Sequence, residues 1–229
     1  MSKLVWDATG ERKFEAGVDH GVLYVQNTDG TYASGVVWNG LTGVTSSPDG
    51  AEPTDLWADN IKYATLRSAE TFGATIEAYT YPLEFMQCDG SAQAAAGVYI
   101  GQQARKAFGF CYRTMTGSDT DPTLTENSTD FNYKIHVIYN ATASPSERAY
   151  ETINDSPDAI TLSWEITTTP VNITGYKPTS EIVIDMATLA AAKRQTLLDM
   201  LYGTDGAQAG QTGTDPTLPT PDALLALIA

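Results

Sequence analysis

Along much of the chain apolar and polar positions alternate with period two, the spacing of half-buried strands. GVLYVQ leads through the turn Asn27-Thr28-Asp29-Gly30 to YASGVVW, and Asn39-Gly40 then leads to LTGVTS. Asn-Gly and Asp-Gly tolerate the positive φ of tight turns, so these runs predict hairpins. IKYATLRSAE and TFGATIEAYTYP predict two further strands, the second with Phe72, Ala74, Ile76 and Ala78 on one face and Thr75, Glu77 and Tyr79 on the other. PLEFMQCDG breaks the alternation. Pro82 suits a first helical position and Gly90 a position past the end, so two short helical turns are expected there. Residues 97–101 and 104–116 return to strand. FNYKIHVIYNA sets Tyr133, Ile135, Val137 and Tyr139 against Lys134, His136 and Asn140, and DAITLSWEITTTP alternates through Ile160, Leu162, Trp164 and Ile166. EIVIDM is a shorter strand.

Two stretches follow another rule. ATLAAAKRQTLLDMLYG predicts one amphipathic helix, over 186–202, with Asp185 capping its start and Gly203 ending it. Its apolar face collects Leu189, Ala192, Thr196, Leu197, Met200 and Leu201, as for a helix docked on a sheet. SSPDGAEPTDLWADN, 46–60, reads as a long acidic loop punctuated by Pro48, Asp49, Gly50 and Pro53. Asp49, Glu52, Asp55 and Asp59 have no base nearby in sequence, yet the loop carries Leu56 and Trp57. Two large apolar side chains gain nothing from water, so they must pack on the chain's own core or on a neighbouring molecule. The predicted organisation is one β-rich body, 1–203, followed by a Gly/Thr/Pro linker and C-terminal arm, 204–229, ending in PDALLALIA. The class is mainly β (α+β), a sandwich or barrel with one packed helix.

Composition sharpens this picture. Only 18% of the 229 residues are charged, and 28 acids against 13 bases give a net charge of −15. So sparse a charge suits a chain that buries surface in assembly, and its sign argues against attraction to phosphate on nucleic acid or anionic membrane. No apolar leader opens the sequence and no run approaches the ~20 apolar residues of a membrane span, so neither secretion nor membrane insertion is expected. The triplets at Asn127, Asn140 and Asn172 therefore predict no glycosylation, and Cys88 and Cys111 read as buried free thiols.

Candidate chemistry is sparse. His20 and His136 are the only histidines, and His136 falls on a polar strand face with no partner set by spacing. No catalytic or nucleotide-binding fingerprint occurs. Glu77 with Glu165, or Glu84 with Asp89, would be paired carboxylates only if the fold brought them together. GSDTDPTLTENSTD holds Asp119, Asp121, Glu126 and Asp130 but lacks the glycine and glutamate spacing of a calcium loop. No catalytic residue, metal site or cofactor is expected.

From Gly40 to Gly90 the sequence resembles the major tail tube proteins of long-tailed bacteriophages with non-contractile tails. The resemblance runs through GLTGVTSSPDGAEPTDLWADNIKYATLRSAETFGATIEAYTYPLEFMQCDG and continues through IGQQARKAFGFCYRT, YKIHVIYNATASPSERAYETINDSPDAITLSWEITTTPV, KPTSEIVIDM and TDPTLPTPDALLALIA. It covers most of the chain in the expected order, though its motifs are strand and turn chemistry. It implies a β-sandwich subunit with one flanking helix, six copies joining their inner sheets into a ring. Stacked rings would form a tube in the virion tail, assembled in the bacterial host cytoplasm, through which double-stranded DNA is ejected. The implied partners are copies of itself, tape-measure, tail-terminator and distal tail proteins, and DNA sliding through an acidic lumen. In that family the loop after the early hairpin reaches an adjacent subunit or ring. Carried over, it makes Asp55, Leu56, Trp57 and Asp59 an inter-ring contact, with Leu224, Leu225 and Leu227 in an arm docked on a neighbour.

Three other possibilities stay open on the residues alone. A related secretion- or injection-system tube would share the fold. A carbohydrate- or peptide-binding β-sandwich would need a concave aromatic patch, for which Tyr24, Tyr32 and Trp38 are the best cluster. The C-terminal stretch can equally form a short helix on its own subunit.

Overall fold

The run with the cleanest alternation forms the strand on which the fold is built. A computed structural model describes residues 3–50, 52–120, 132–150, 152, 159–206 and 212–228. Its strands up to the short helical turns are β1 (Lys13–Val25), β2 (Val36–Trp38), β3 (Leu41–Ser46), β4 (Asp49–Gly50), β5 (Pro53–Ala58), β6 (Ile61–Arg67), β7 (Glu70–Thr71) and β8 (Gly73–Ala78). After a 3₁₀ turn at Leu83–Gln87 come β9 (Ala92–Ala95), β10 (Val98–Ile100), β11 (Phe108–Ser118), β12 (Asn132–Ala143), β13 (Leu162–Thr168) and β14 (Glu181–Asp185). Two helices follow, α1 (Ala191–Tyr202) and α2 (Pro221–Ile228). The protein is mainly β, with helices packed on one side.

One antiparallel sheet carries the order β2-β1-β11-β12-β13-β8-β3. It forks at β12, whose Lys134–Ile138 half pairs with β14 while Ala141–Ala143 pair with β13. Beyond the fork, β13, β8 and β3 fold back over the first layer until β3 lies against β1. There a Cβ on Gly21 would sit 2.5 Å from Leu41 Cδ1 and 3.0 Å from the carbonyl of Trp38 in β2, so a larger residue would displace the Leu41 side chain.

The second half of β1, the first half of β11 and the middle of β12 are consequently buried on both faces. Towards the folded-back layer lie Leu23, Phe108, Phe110 and Ile138, packed with Ala74, Ile76, Ala78, Trp164 and Ile166. Phe85 from the 3₁₀ turn enters this core, 4.5 Å between ring centroids from Trp38 and 5.3 Å from Trp164. Towards the helices lie Tyr24, Cys111, Ile135, Val137 and Tyr139, packed with Leu197, Leu201, Leu218 and Leu224. Strand periodicity thus puts Tyr133, Ile135, Val137 and Tyr139 on one face as expected.

The helix differs from its predicted extent. Asp185 accepts a hydrogen bond from the Ala187 amide at 3.0 Å, but it caps a turn, and α1 starts at Ala191 without a side-chain cap. The buried stripe runs through Leu197 and Leu201, while Ala192 and Thr196 face solvent. At 3.6 residues per turn Ala192 lies about 140° round the helix from Leu197, so the face read from the sequence is too wide.

The C-terminal segment also departs from a free arm. Thr204 and Thr214 exchange backbone hydrogen bonds at 3.0 and 3.1 Å, which closes the linker on itself. The Thr217 amide then donates to the Met200 carbonyl, and the Gly35 amide to the Pro216 carbonyl. Part of the expected linker, 207–211, lies outside the described residues. Residues 214–228 pack against the body, with Leu218 and Leu224 in the helix-side core.

Candidate assembly surface

Within the predicted loop 46–60, Pro53–Ala58 form one strand of a two-stranded ribbon. Strands β5 and β6 pair antiparallel from Pro53↔Arg67 to Ala58↔Ile61 across a two-residue turn at Asp59 and Asn60, whose φ values are 51° and 62°. Two consecutive positive φ values match the hairpin turn that twists with its strands, which explains an Asp-Asn pair at this point. The short β4–β7 pair, Asp49↔Thr71 and Gly50↔Glu70, forms the stem beneath it.

Cross-strand partners share a face. Thr54 stands opposite Leu66 and Leu56 opposite Ala64, an uncharged face, whereas Asp55 stands opposite Thr65. Asp55 accepts from Thr65 Oγ1 at 2.9 Å and pairs with Lys62 Nζ at 2.7 Å. It is therefore not an unpaired acid, because the fold-back brings a base seven residues away across the ribbon. Leu56 is 42% exposed and Trp57 68%, with Ile61, Tyr63 and Leu66 also exposed. Neither Leu56 nor Trp57 enters the chain's own core. Pairing strands satisfies their backbone groups, but a two-stranded ribbon has no interior to take these side chains.

The C-terminal leucines lie elsewhere. Leu224 is fully buried in the helix-side core, Leu227 packs half-buried against that core, and Leu225 is half-buried. Asp222 holds the start of α2 to the body, accepting from the Thr174 amide at 2.8 Å and its hydroxyl at 3.0 Å. Leu224 and Leu227 thus pack on the helix-side core of their own subunit, as an apolar helix face does when it finds a partner locally. Leu225 lines a shallow depression with Tyr176 and Ile228.

The sites considered for chemistry resolve into structural roles. His136 acquires partners that spacing does not reveal: Glu181 at 3.3 Å from β14, Glu15 at 3.6 Å from β1 and Thr114 Oγ1 at 3.1 Å from β11. Its ring stacks on Tyr112 at 4.6 Å. Despite some desolvation of Glu15, hydrogen bonds from Lys134 and Thr114 hold its carboxyl below the ordinary carboxylate range. Glu77 and Glu165 are diagonal neighbours on adjacent strands, both in solvent. Asp89 pairs with Arg148 and lies 3.9 Å from Arg105, while Glu84 is exposed and apart. Burial pushes the Asp89 carboxyl up against the pull of these guanidiniums.

Asp119 accepts from the Gly10 amide at 2.9 Å, whereas Asp121, Glu126, Asn127 and Asp130 lie outside the described residues. Among the described residues no cluster of three or more His, Cys, Asp or Glu has a metal-holding arrangement. No helix among them is long and apolar enough to cross a membrane. The aromatic trio is not a binding patch. Tyr24 and Trp38 are buried and donate to the carbonyls of Leu201 and Thr80, and the half-buried Tyr32 hydroxyl accepts from the Asn140 amide.

No protein-family model matches the chain, and no curated protein matches it. Among solved structures, similarity is found to a chain of the sheath–tube complex of an extracellular contractile injection system, PVC, in its extended state. Identity is 11% over 73% of this chain and 89% of that one, with a TM-score of 0.32. The SPP1 tail tube is similar over 86% of this chain and 97% of the other, again at 11% identity and a TM-score of 0.32. Likenesses at this level assign no function.

Proposed function

We propose that this protein is a structural subunit that polymerises with copies of itself into the tube of a phage-type tail. The single observation that carries the proposal is the β5–β6 ribbon. It presents Leu56, Trp57, Ile61, Tyr63 and Leu66 to solvent on a chain otherwise well provided with buried core. Fully burying a side chain of this kind stabilises by about 1.5–3 kcal/mol, so a neighbour that covers several of them gains a stable contact. The resemblance from Gly40 to Gly90, in a family whose subunits reach the next ring through this part of the chain, supports this reading, and the mainly β architecture with flanking helices suits it.

In this proposal six copies complete a ring, rings stack through the ribbon, and tape-measure, tail-terminator and distal tail proteins set its length and ends. Double-stranded DNA would pass through a bore kept free of adhesion by the acidic charge, because the duplex carries one negative charge per ~1.7 Å of axis. Asp55 and Asp59 form the polar rim of the ring-to-ring contact and Leu56 and Trp57 its anchors. Trp57→Ala tests this. The melting temperature of the monomer should stay within the shift produced by ~0.5 kcal/mol, because the side chain is exposed, while sedimentation shows loss of the assembled species. A variant that melts much earlier, or that assembles as the parent does, would overturn the role given to Trp57.

A further inference from the structure

A second ribbon projects from the body. Strands β9 and β10 pair as a hairpin whose base is pinned by hydrogen bonds from the Gln103 amide to the Gly90 carbonyl at 2.9 Å and from the Lys106 amide to the Gln87 carbonyl at 3.0 Å. Phe85 and Cys88, fully buried, anchor the turn below it. Beyond the base Val98, Tyr99 and Ile100 are exposed, and a Cβ added at Gly97 or Gly101 would meet open space. From Gly90 to Ala104 there is no charged residue, in a chain of net charge −15.

The two ribbons follow opposite ends of one strand pair in chain order. The β5–β6 ribbon leaves where Ser46 faces Ala74, and the β9–β10 ribbon follows the end where Leu41 faces Ala78. Between residues 49 and 70 the first ribbon and its stem carry five acids against two bases. Two such ribbons pairing like with like would bring those acids together, within a Debye length of ~8 Å and unscreened once water is excluded. An uncharged seat removes that repulsion, and the apolar face of Thr54, Leu56, Ala64 and Leu66 matches it in chemistry.

We propose that the β9–β10 ribbon of one copy is the seat on which the β5–β6 ribbon of the next copy docks, head to tail. This rests on the polymerising role proposed above and names its acceptor. A contact between two different surfaces leaves one of each free after every addition, so unless its rotation closes a ring it extends a stack rather than ending at a pair.

Two variants test it. Leu56→Asp with Leu66→Asp spoils the docking ribbon and leaves the seat intact, whereas Val98→Asp with Ile100→Asp spoils the seat and leaves the ribbon. Alone, each should lose at least tenfold in assembled mass by sedimentation. Mixed in equal amounts they should form one junction, an assembly two layers deep, because one variant supplies an intact ribbon and the other an intact seat. Should the seat variant assemble like the parent while the ribbon variant does not, the seat is elsewhere and the polymerising role stands. Should the parent itself never assemble, both proposals fall. A photo-crosslinking side chain placed at Tyr99 in the otherwise unaltered chain gives a second measurement that does not depend on the aspartates being tolerated. Attachment to residues 53–67 of another copy is expected, and attachment only elsewhere would overturn the seat.

Discussion

Arg113 shows how a single residue ties the first strand to the sheet. Its side chain is almost fully buried and makes a two-pronged hydrogen bond to Asp19, 2.7 Å on each arm, with its guanidinium 5.0 Å from the Tyr133 ring centre. Desolvation pushes the Asp19 carboxyl up, but the Arg113 hydrogen bonds and charge outweigh it and hold Asp19 below the usual carboxylate range. A depressed folded-state value means stability that is present above the unfolded value of ~3.9 and lost as pH falls through the folded one. Unfolding measured from pH 6 down to pH 2 should therefore show a loss below about pH 4 that Asp19→Asn largely lacks, the variant being already weaker at pH 6. At neutral pH, Asp19→Ala should cost about 2–3 kcal/mol, on the low side for breaking a pair with a buried arginine because Asp19 is a third exposed. The thiols illustrate the opposite influence. Burial pushes Cys88 and Cys111 up to about 12, so neither should react with an alkylating reagent until the protein unfolds.

Among the elements, α2 and the segment before it carry a sharp expectation. A Cβ on Gly109 would meet Leu218 Cδ2 at 2.2 Å, so the C-terminal segment lies directly on the β11 backbone. Leu224→Ala should destabilise the monomer by about 2–4 kcal/mol, as a core deletion does, and a calorimetric change near zero would restore the free arm. The strands legible in the sequence are those with one clear apolar face, such as β8, where Ala74, Ile76 and Ala78 are all buried. β1 was legible only in its second half. Register shifts between Ala16 and Asp19 and between Asp19 and Val22 break the period of two, and His20 adopts φ 51° within them. β5 was hidden for another reason: every residue of PTDLWA is exposed, so no burial pattern marks it as strand. In the candidate surface, the apolar pair at Leu56 and Trp57 was visible as an anomaly, while the Asp55–Lys62 pair required a turn that only pairing reveals. For His136 the limit was distance in sequence, since Glu15 and Glu181 come from strands far along the chain in either direction.

For the whole molecule, composition and architecture point the same way. The subunit has two buried cores, yet it keeps large apolar side chains exposed on two ribbons that follow opposite ends of one strand pair in chain order. In the proposed assembly a net charge of −15 would keep free copies apart until uncharged faces meet, lowering the rate of accidental association without preventing the specific one. Raising the salt concentration should accordingly speed assembly, because it screens the repulsion and leaves apolar burial intact. Electron microscopy of the concentrated protein, negatively stained, tests self-assembly most directly. Hollow tubes or six-fold rings are predicted. A field of dispersed single subunits at every concentration and salt level would contradict the account.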